Sequence, residues 1–386
     1  MKKLYIFISI FSVTLTLFLS SCGGTKYGPL TLVKDGDSYT VTKCDDIPED
    51  TITVPGEYNG IPVTKVDSGV FYRMNSLVTV IFEEGIKELN TPFGYCDNLK
   101  NIIIPNSLER CGRMFYETEH PKPGVNYNTY SNGKYLGNDS NPYVLLCHNY
   151  STGQVAPGCR VIMEGPTFSS GDGNYRSYDL NIPASVIYMP NYYNNCYYIR
   201  NITVDPDNQV YDSRNNSNCL IETATNRLLL VGWAVLSIPE GIESIAGYAF
   251  DHVDGTRSFT MPSSLKVIED YAFYNKFEYV QITFNEGLQE IQDYAFDGCE
   301  SLVGPIKIPS TVKSIGKGVF RSSTNVNKFY LPAGIQLGDN CLPSSVTDIY
   351  YTGTINEWRR NYNSKMGGST NISVHASDGL FQLVQK

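Results

Sequence analysis

Little in this sequence can do acid–base, metal or phosphate chemistry. Only four histidines occur in 386 residues. They are His120, His148, His252 and His375, far apart, and none belongs to a His-Glu-x-x-His pair. Gly-x-Ser-x-Gly and the glycine-rich phosphate loop are also missing, which removes the common hydrolase and nucleotide-binding signatures. No Cys-x-x-Cys stands anywhere, and Cys147-His148 with Cys159 is poorly spaced for zinc. An enzyme would need groups that converge from separate parts of the chain, and no residue stands out for that role. The reading is therefore no enzyme, no cofactor and no metal site. Adjacent acids such as Glu83-Glu84 and Asp45-Asp46 lie at turns, where solvated carboxylates are expected. Basic residues are outnumbered by acidic ones, 30 to 39, and nowhere cluster. That argues against nucleic acid as a partner, because phosphate binding needs grouped lysine and arginine. Past residue 21 no stretch is apolar enough to cross a bilayer.

What is present is a repeat. From Ile245 to Pro332, Phe250, Phe273, Phe296 and Phe320 recur with a period of about 23 residues, a single extra one falling at Gly304-Pro305. After each Phe, small or apolar side chains return at offsets +3, +6, +9, +11, +15 and +18, as in Phe273, Tyr279, Ile282, Phe284, Leu288 and Ile291. A period of about 20 to 29 residues with one short apolar-x-apolar stretch is the mark of a leucine-rich-repeat solenoid. The expected fold is a right-handed solenoid of the α/β class, dominated by strands. It has a parallel concave sheet, and short turns or helical turns on the convex side. Offsets +9 and +11 are two apart, so both side chains point into the core. The Phe and the side chains at offsets +15 and +18 then line the opposite wall, with the Phe rings stacked in a column.

On the same strands, offsets +8 and +10 face outward in two columns. One holds Thr79, Asn101, Asn201, Ser258, Gln281 and Lys328. The other holds Ile81, Ile103, Thr203, Thr260, Thr283, Lys307 and Tyr330. Strand propensity alone accounts for the Thr and Ile; the functional alternative is a long, weakly charged, pre-formed binding face. A second candidate is the crowd of Tyr188, Tyr192, Tyr193, Tyr197 and Tyr198 in one coil, although Tyr193 takes the place of a core Phe.

Taken in order, the chain opens with Lys2-Lys3, an uncharged apolar run from Leu4 to Leu19, and Ser20-Ser21-Cys22. This reads as a bacterial lipoprotein signal, 1–21, because the run of about 16 residues is short for a membrane span. Lipobox resemblance implies cleavage before Cys22, acylation of Cys22, and a tether over 22–27. One solenoid then fills 28–386. It divides into an N-terminal cap (28–63), regular repeats with Phe71, Phe93 and Phe115 (64–116), irregular coils (117–180), repeats again (181–344) and a C-terminal cap (345–386). The irregular part carries an inserted hairpin turning at Asn132-Gly133. A second hairpin is expected across Ala224-Thr225-Asn226. In the last cap Thr354 starts a short helix that buries Trp358, and Asn371 to His375 form a strand. The period allows roughly eleven or twelve coils. Cys96, Cys196 and Cys299 fall at Phe+3, a tight corner, and read as buried thiols. For Cys147 and Cys159 the sequence leaves open both a disulfide and two free thiols.

The spelling of the unit narrows the family. Ala295-Phe296-Asp297-Gly298-Cys299-Glu300-Ser301-Leu302, followed by Ile306-Lys307-Ile308-Pro309, resembles the BspA-type leucine-rich repeats of bacterial surface proteins. Glu57 to Val63, Lys134 to Asn138 with Asn141-Pro142-Tyr143, and the closing Trp358 segment are similar to entry, variant and final units of such arrays. The resemblance implies a non-enzymatic lipoprotein that acts as an adhesion or binding module for a protein or glycoprotein ligand. Glycan capture beside a transporter and a structural envelope role are the alternatives. The expected location is the cell envelope, anchored by lipid to the outer membrane. Gly23-Gly24-Thr25-Lys26-Tyr27 lacks the acidic run that marks surface export in some Gram-negative lineages, so the surface and periplasmic faces both stay open.

Overall fold

The computed structural model describes residues 24–45, 49–116, 121–150, 152–164, 168–169, 178–190, 199–233, 235, 237–250, 259–274, 281–362 and 371–383. The signal segment 1–21 and Cys22 lie outside these residues. So do Cys196, Ser258, His120, His252, Tyr192, Tyr193, Tyr197 and Tyr198.

No described segment carries the sustained 3.6-residue apolar period of a long helix, and the chain winds through short extended stretches instead. On the first wall, Thr51–Val54, Thr79–Phe82 and Asn101–Ile103 run parallel, with Ile52, Val80 and Ile102 in register. Val80 and Phe82, at offsets +9 and +11, are buried as the alternation requires. The same wall continues near the C-terminus through Ile306–Lys307, Lys328–Leu331, Asp348–Tyr351 and Ile372–Ala376.

The opposite wall departs from the expected turns or helical turns. It is a second parallel ladder. Ile61–Val66, Glu88–Leu89 and Arg110–Cys111 pair at one end. Ser244–Ile245, Val267–Ile268, Glu290–Ile291, Ser314–Ile315 and Gln336–Leu337 pair at the other. The reason is local: the side chain at offset +18 is mostly β-branched, and turns close on both sides of it, so two extended residues per coil are enough to bond to the next coil. The one α-helix among the described residues is Ile355–Asn361. Thr354 and Glu357 close it with a reciprocal capping box, and Trp358 is fully buried. The solenoid has about thirteen turns. This exceeds the eleven or twelve expected because both caps supply ladder strands, Thr51–Val54 at one end and Ile372–Ala376 at the other.

The Phe rings form the expected columns. Phe250, Phe273, Phe296 and Phe320 follow at centroid spacings of 4.4, 4.7 and 5.3 Å, all stacked and all fully buried. Phe71, Phe93 and Phe115 follow at 5.4 and 5.8 Å. Two residues before this position the backbone is left-handed in coil after coil. Gly69, Gly318 and Asn340 suit that conformation, but Thr91, Tyr248, Tyr271 and Tyr294 adopt it too, with φ of 45°, 59°, 59° and 57°. The residue at Phe+3 is a donor as well as a small side chain. Cys96 Sγ donates to the Phe71 carbonyl at 2.9 Å, Cys299 Sγ to Phe273 at 3.0 Å, and the buried Ser323 Oγ to Phe296 at 3.0 Å.

Glu84 is not a merely solvated carboxylate. It accepts from the backbone N–H groups of Asn106 and Ser107 in the next coil, at 2.7 and 2.9 Å. Ser107 Oγ then donates to the Ile86 carbonyl and accepts from Gly85 N–H. The same clip joins Glu240 to Ser263 and Glu286 to Ser310. It satisfies turn amides at these three corners that would otherwise face solvent.

Residues 117–180 hold the junction between the two regular arrays. The inserted hairpin pairs Asn128–Tyr130 with Gly133–Leu136. Its two turn residues are Ser131 and Asn132, both left-handed, one residue earlier than Asn132-Gly133. Leu145–Tyr150 pairs with Gly133–Leu136 on one side and Val161–Ile162 on the other. Leu136, Leu145 and Val161 pack into the core of the first array, while Tyr135, Leu146 and Ile162 pack into that of the second. This explains the unbroken apolar run Val144 to Cys147: the strand is buried on both faces. Cys147 and Cys159 are both free, buried thiols, each pushed up in pKa mainly by burial. The second hairpin lies where expected, Cys219–Glu222 against Arg227–Val231.

Candidate binding face

The two outward columns fall into three local groups. In the first array Thr79 pairs with Asn101 and Ile81 with Ile103, and all four are half-buried. Their polar groups bond along the wall: Asn126 Nδ2 donates to Asn101 Oδ1 at 2.8 Å, and Asn101 Nδ2 to Thr79 Oγ1 at 3.1 Å. In the middle, Asn201 and Thr203 are exposed on Ile199–Val204, and each bonds to the strand before it. Asn201 Nδ2 donates to Asp179 Oδ1 at 2.9 Å, and Thr203 Oγ1 donates to Asn181 Oδ1. Arg200 grips the same Asp179 with two bonds, which hold its carboxyl below the usual range. Much of the polar surface here is therefore engaged within the wall. Thr260 and Thr283 stand side by side and exposed, with Gln281 exposed nearby.

The third group is different. Lys307 pairs with Tyr330, and the row runs on through Tyr350 to His375. Tyr350 and His375 escaped sequence reasoning because the Phe period ends before them. The signal was there: Asp348-Ile349-Tyr350-Tyr351 repeats the in-out alternation of Lys328-Phe329-Tyr330-Leu331 one coil earlier. Tyr330 and Tyr350 stack at 4.6 Å with an 11° tilt, and Tyr350 and His375 at 4.5 Å with 11°. Lys307 Nζ lies 5.6 Å from the centroid of Tyr330. The spacing is that of neighbouring strands, so the ladder register itself imposes the stack.

A second row lies beside it, Lys328, Asp348 and Ser373. Asp348 Oδ1 is 3.1 Å from His375 Nε2, and Thr347 Oγ1 donates to Asp348 Oδ2 at 2.8 Å. These two bonds, His375 first, hold the Asp348 carboxyl below its ordinary pKa. An open groove of about 560 Å³ borders the aromatic row, lined among others by Glu286, Ser310, Tyr330, Tyr350, His375 and Ser377. Tyr350 has a ring against each face, and the outer face of Tyr330 carries Lys307. The row offers hydroxyls, ring edges and an ammonium to a ligand, and both faces of Tyr350 are closed to it. No group of three or more His, Cys, Asp or Glu placed to hold a metal occurs among the described residues. No helix among them is long and apolar enough to cross a membrane.

The repeats match the family model of the BspA type leucine rich repeat region in six copies, over residues 50–129 and 234–349, slightly more than half of the chain. No curated protein matches the chain. Among solved structures it is similar to a leucine rich cell surface protein from Faecalibacterium prausnitzii A2-165, at 20% identity and a TM-score of 0.48, over 90% of this chain and 98% of that one. It is also similar to the pneumococcal vaccine antigen PcpA, at 16% identity and a TM-score of 0.42, over 86% and 88% of the two chains. A leucine-rich repeat protein from Eubacterium ventriosum ATCC 27560 matches at 14% and 0.43, over 90% and 91%. With six repeat copies across half its length, the chain belongs to the BspA-type leucine-rich-repeat family.

Proposed function

We propose that the protein is a non-enzymatic binding module of the bacterial cell envelope. It takes a protein ligand on the outward wall at the C-terminal end of the solenoid and is tethered through a lipid on Cys22. The observation that carries this reading is the row Lys307, Tyr330, Tyr350 and His375 beside an open groove. Tyrosine is a frequent anchor at protein interfaces, and the ladder holds these rings in place before any ligand arrives. Sugar rings bind by lying flat on an open aromatic face, and here the faces of Tyr350 are occupied by its neighbours. That speaks for polypeptide over glycan. A groove with convergent polar groups also speaks against a purely structural envelope role.

The test is a panel of cell-surface and matrix glycoproteins, each before and after enzymatic removal of its glycans, presented to the wild type and to Tyr350→Ala. Binding that survives deglycosylation and is lost in the variant is the expected result. Binding lost with the glycans would return the glycan reading, and binding indifferent to Tyr350→Ala would move the site elsewhere. Protease shaving of intact cells checks the location, since a host-facing module loses its repeats and a periplasmic one keeps them.

A further inference from the structure

A second surface lies at the Phe corner of the first array, remote in sequence from the C-terminal row. Tyr72, Tyr95 and Tyr116 are 44%, 43% and 63% exposed. Their ring centroids are 5.5 to 6.3 Å apart, so three large exposed aromatics form one cluster. The Arg73 guanidinium sits over two of them, 5.4 Å from the centroid of Tyr72 and 5.9 Å from that of Tyr95. Among the described residues Arg73 has no carboxylate partner, in a protein of net charge −9. At the equivalent corner of the second array, Arg321 is neutralised by Asp297 at 2.6 Å.

Two backbone features show that the fold alone does not call for this cluster. Arg73 and Tyr95 occupy the Phe+2 position in left-handed conformation, with φ of 58° and 52°, where the second array has Gly298 with φ 74°. Glycine holds such a position without steric cost, and larger side chains hold it under strain. Gly94, between Tyr72 and Tyr116 in the ladder, has an ordinary φ and sits in a strand, where glycine is a poor choice. A Cβ there would stand 2.6 Å from the Tyr72 ring. Its absence is what lets Tyr72 lie down against the coil.

We propose that this corner docks an acidic polypeptide segment of a partner protein. A carboxylate of the segment pairs with the guanidinium of Arg73, and apolar side chains beside it cover Tyr72, Tyr95 and Tyr116. Charge complementarity carries the choice of occupant. A guanidinium over aromatic rings can still offer its planar fork of N–H donors to both oxygens of a carboxylate. Arg73 covers faces of Tyr72 and Tyr95 that a sugar would need, and one cation is too few for nucleic acid or an anionic membrane. Tyrosine and arginine are also the residue types that dominate binding energy at protein interfaces.

The test is fluorescence anisotropy with a labelled decapeptide of alternating Glu and Leu, using the full soluble chain, wild type and Arg73→Gly. The wild type is expected to bind saturably. Arg73→Gly is expected to bind roughly tenfold more weakly or worse, while its melting temperature stays level or rises, because glycine relaxes the left-handed position. Excess sialyllactose is expected not to compete. The proposal is overturned by absence of saturable binding, by equal affinity in the variant, by equal affinity for an alternating Lys and Leu peptide, or by displacement with sialyllactose. A lowered melting temperature in Arg73→Gly would overturn it as well, since Arg73 would then be a residue of the fold.

Discussion

Replacing Phe273 by Ala tests the solenoid core at its tightest point. The side chain is fully buried between Phe250 at 4.4 Å and Phe296 at 4.7 Å. A buried Phe→Ala change costs about 3 to 5 kcal/mol, with the value set by how far the walls relax into the hole. Here they relax little. Phe250 N–H is bonded to Ala272 O at 3.1 Å, Phe273 N–H to Ala295 O at 2.8 Å and Phe296 N–H to Val319 O at 3.0 Å, so each coil is pinned to the next. Two stacked pairs are lost besides, each about 0.5 to 1.5 kcal/mol. The expected loss is therefore at the top of the range, about 5 kcal/mol. Phe115 provides the internal control, because it meets Phe93 tilted and at 5.8 Å, a looser ring contact than either of those made by Phe273. Phe115→Ala should cost less, by roughly 1 kcal/mol, because a tilted pair at that distance is weaker than two close stacks. Urea titration followed by circular dichroism measures both. A loss below about 1 kcal/mol for Phe273→Ala, or a greater loss for Phe115→Ala, would refute the pinned-column argument.

Cys299→Ser should stay close to the wild type, because the hydroxyl can keep the bond to the Phe273 carbonyl as Ser323 does one coil on; Cys299→Ala should lose about 1 kcal/mol in the same titration. Thr91→Gly should stabilise by about 0.5 to 1 kcal/mol, since a β-branched residue at φ 45° is strained, and an unchanged or lower urea midpoint would count against that strain. The carboxyls of Glu286 and Asp348 are both held below their ordinary pKa, by Ser310 and by His375 respectively. Their stabilisation is complete above the unfolded carboxylate range of about 4 and is lost as pH falls through the lower folded values. Melting temperature should therefore fall on the acid side, and less steeply in Glu286→Gln; parallel curves for variant and wild type would dismiss the Glu286 clip as a source.

The period of Phe250, Phe273, Phe296 and Phe320 carried the fold, because a solenoid core is one-dimensional and its pattern survives in sequence. The outward residues were legible for the same reason: alternation along a strand assigns faces. What escaped was set by contacts between coils. Glu84 reaches backbone amides of the next coil, and nothing in its own segment signals that. The left-handed corner shows in Gly69, Gly318 and Asn340 but is masked where Tyr248, Tyr271 and Tyr294 fill it. The second ladder was hidden because two-residue strands are shorter than any period that can be counted. Tyr350 and His375 were passed over because the Phe that set the register has no counterpart in the last coils.

The strand Leu145–Tyr150, buried on both faces, also bears on how such a protein can change length. Duplicating one coil in either array lengthens a core that ends on one face of this strand and leaves the other face as it was. Every Glu-to-Ser clip spans one coil, so a duplication of one full period rebuilds each clip wherever the chain is cut. The central strand has no such freedom. A second copy would need an array on each side to cover it, which makes it the fixed point about which the rest of the molecule is free to grow.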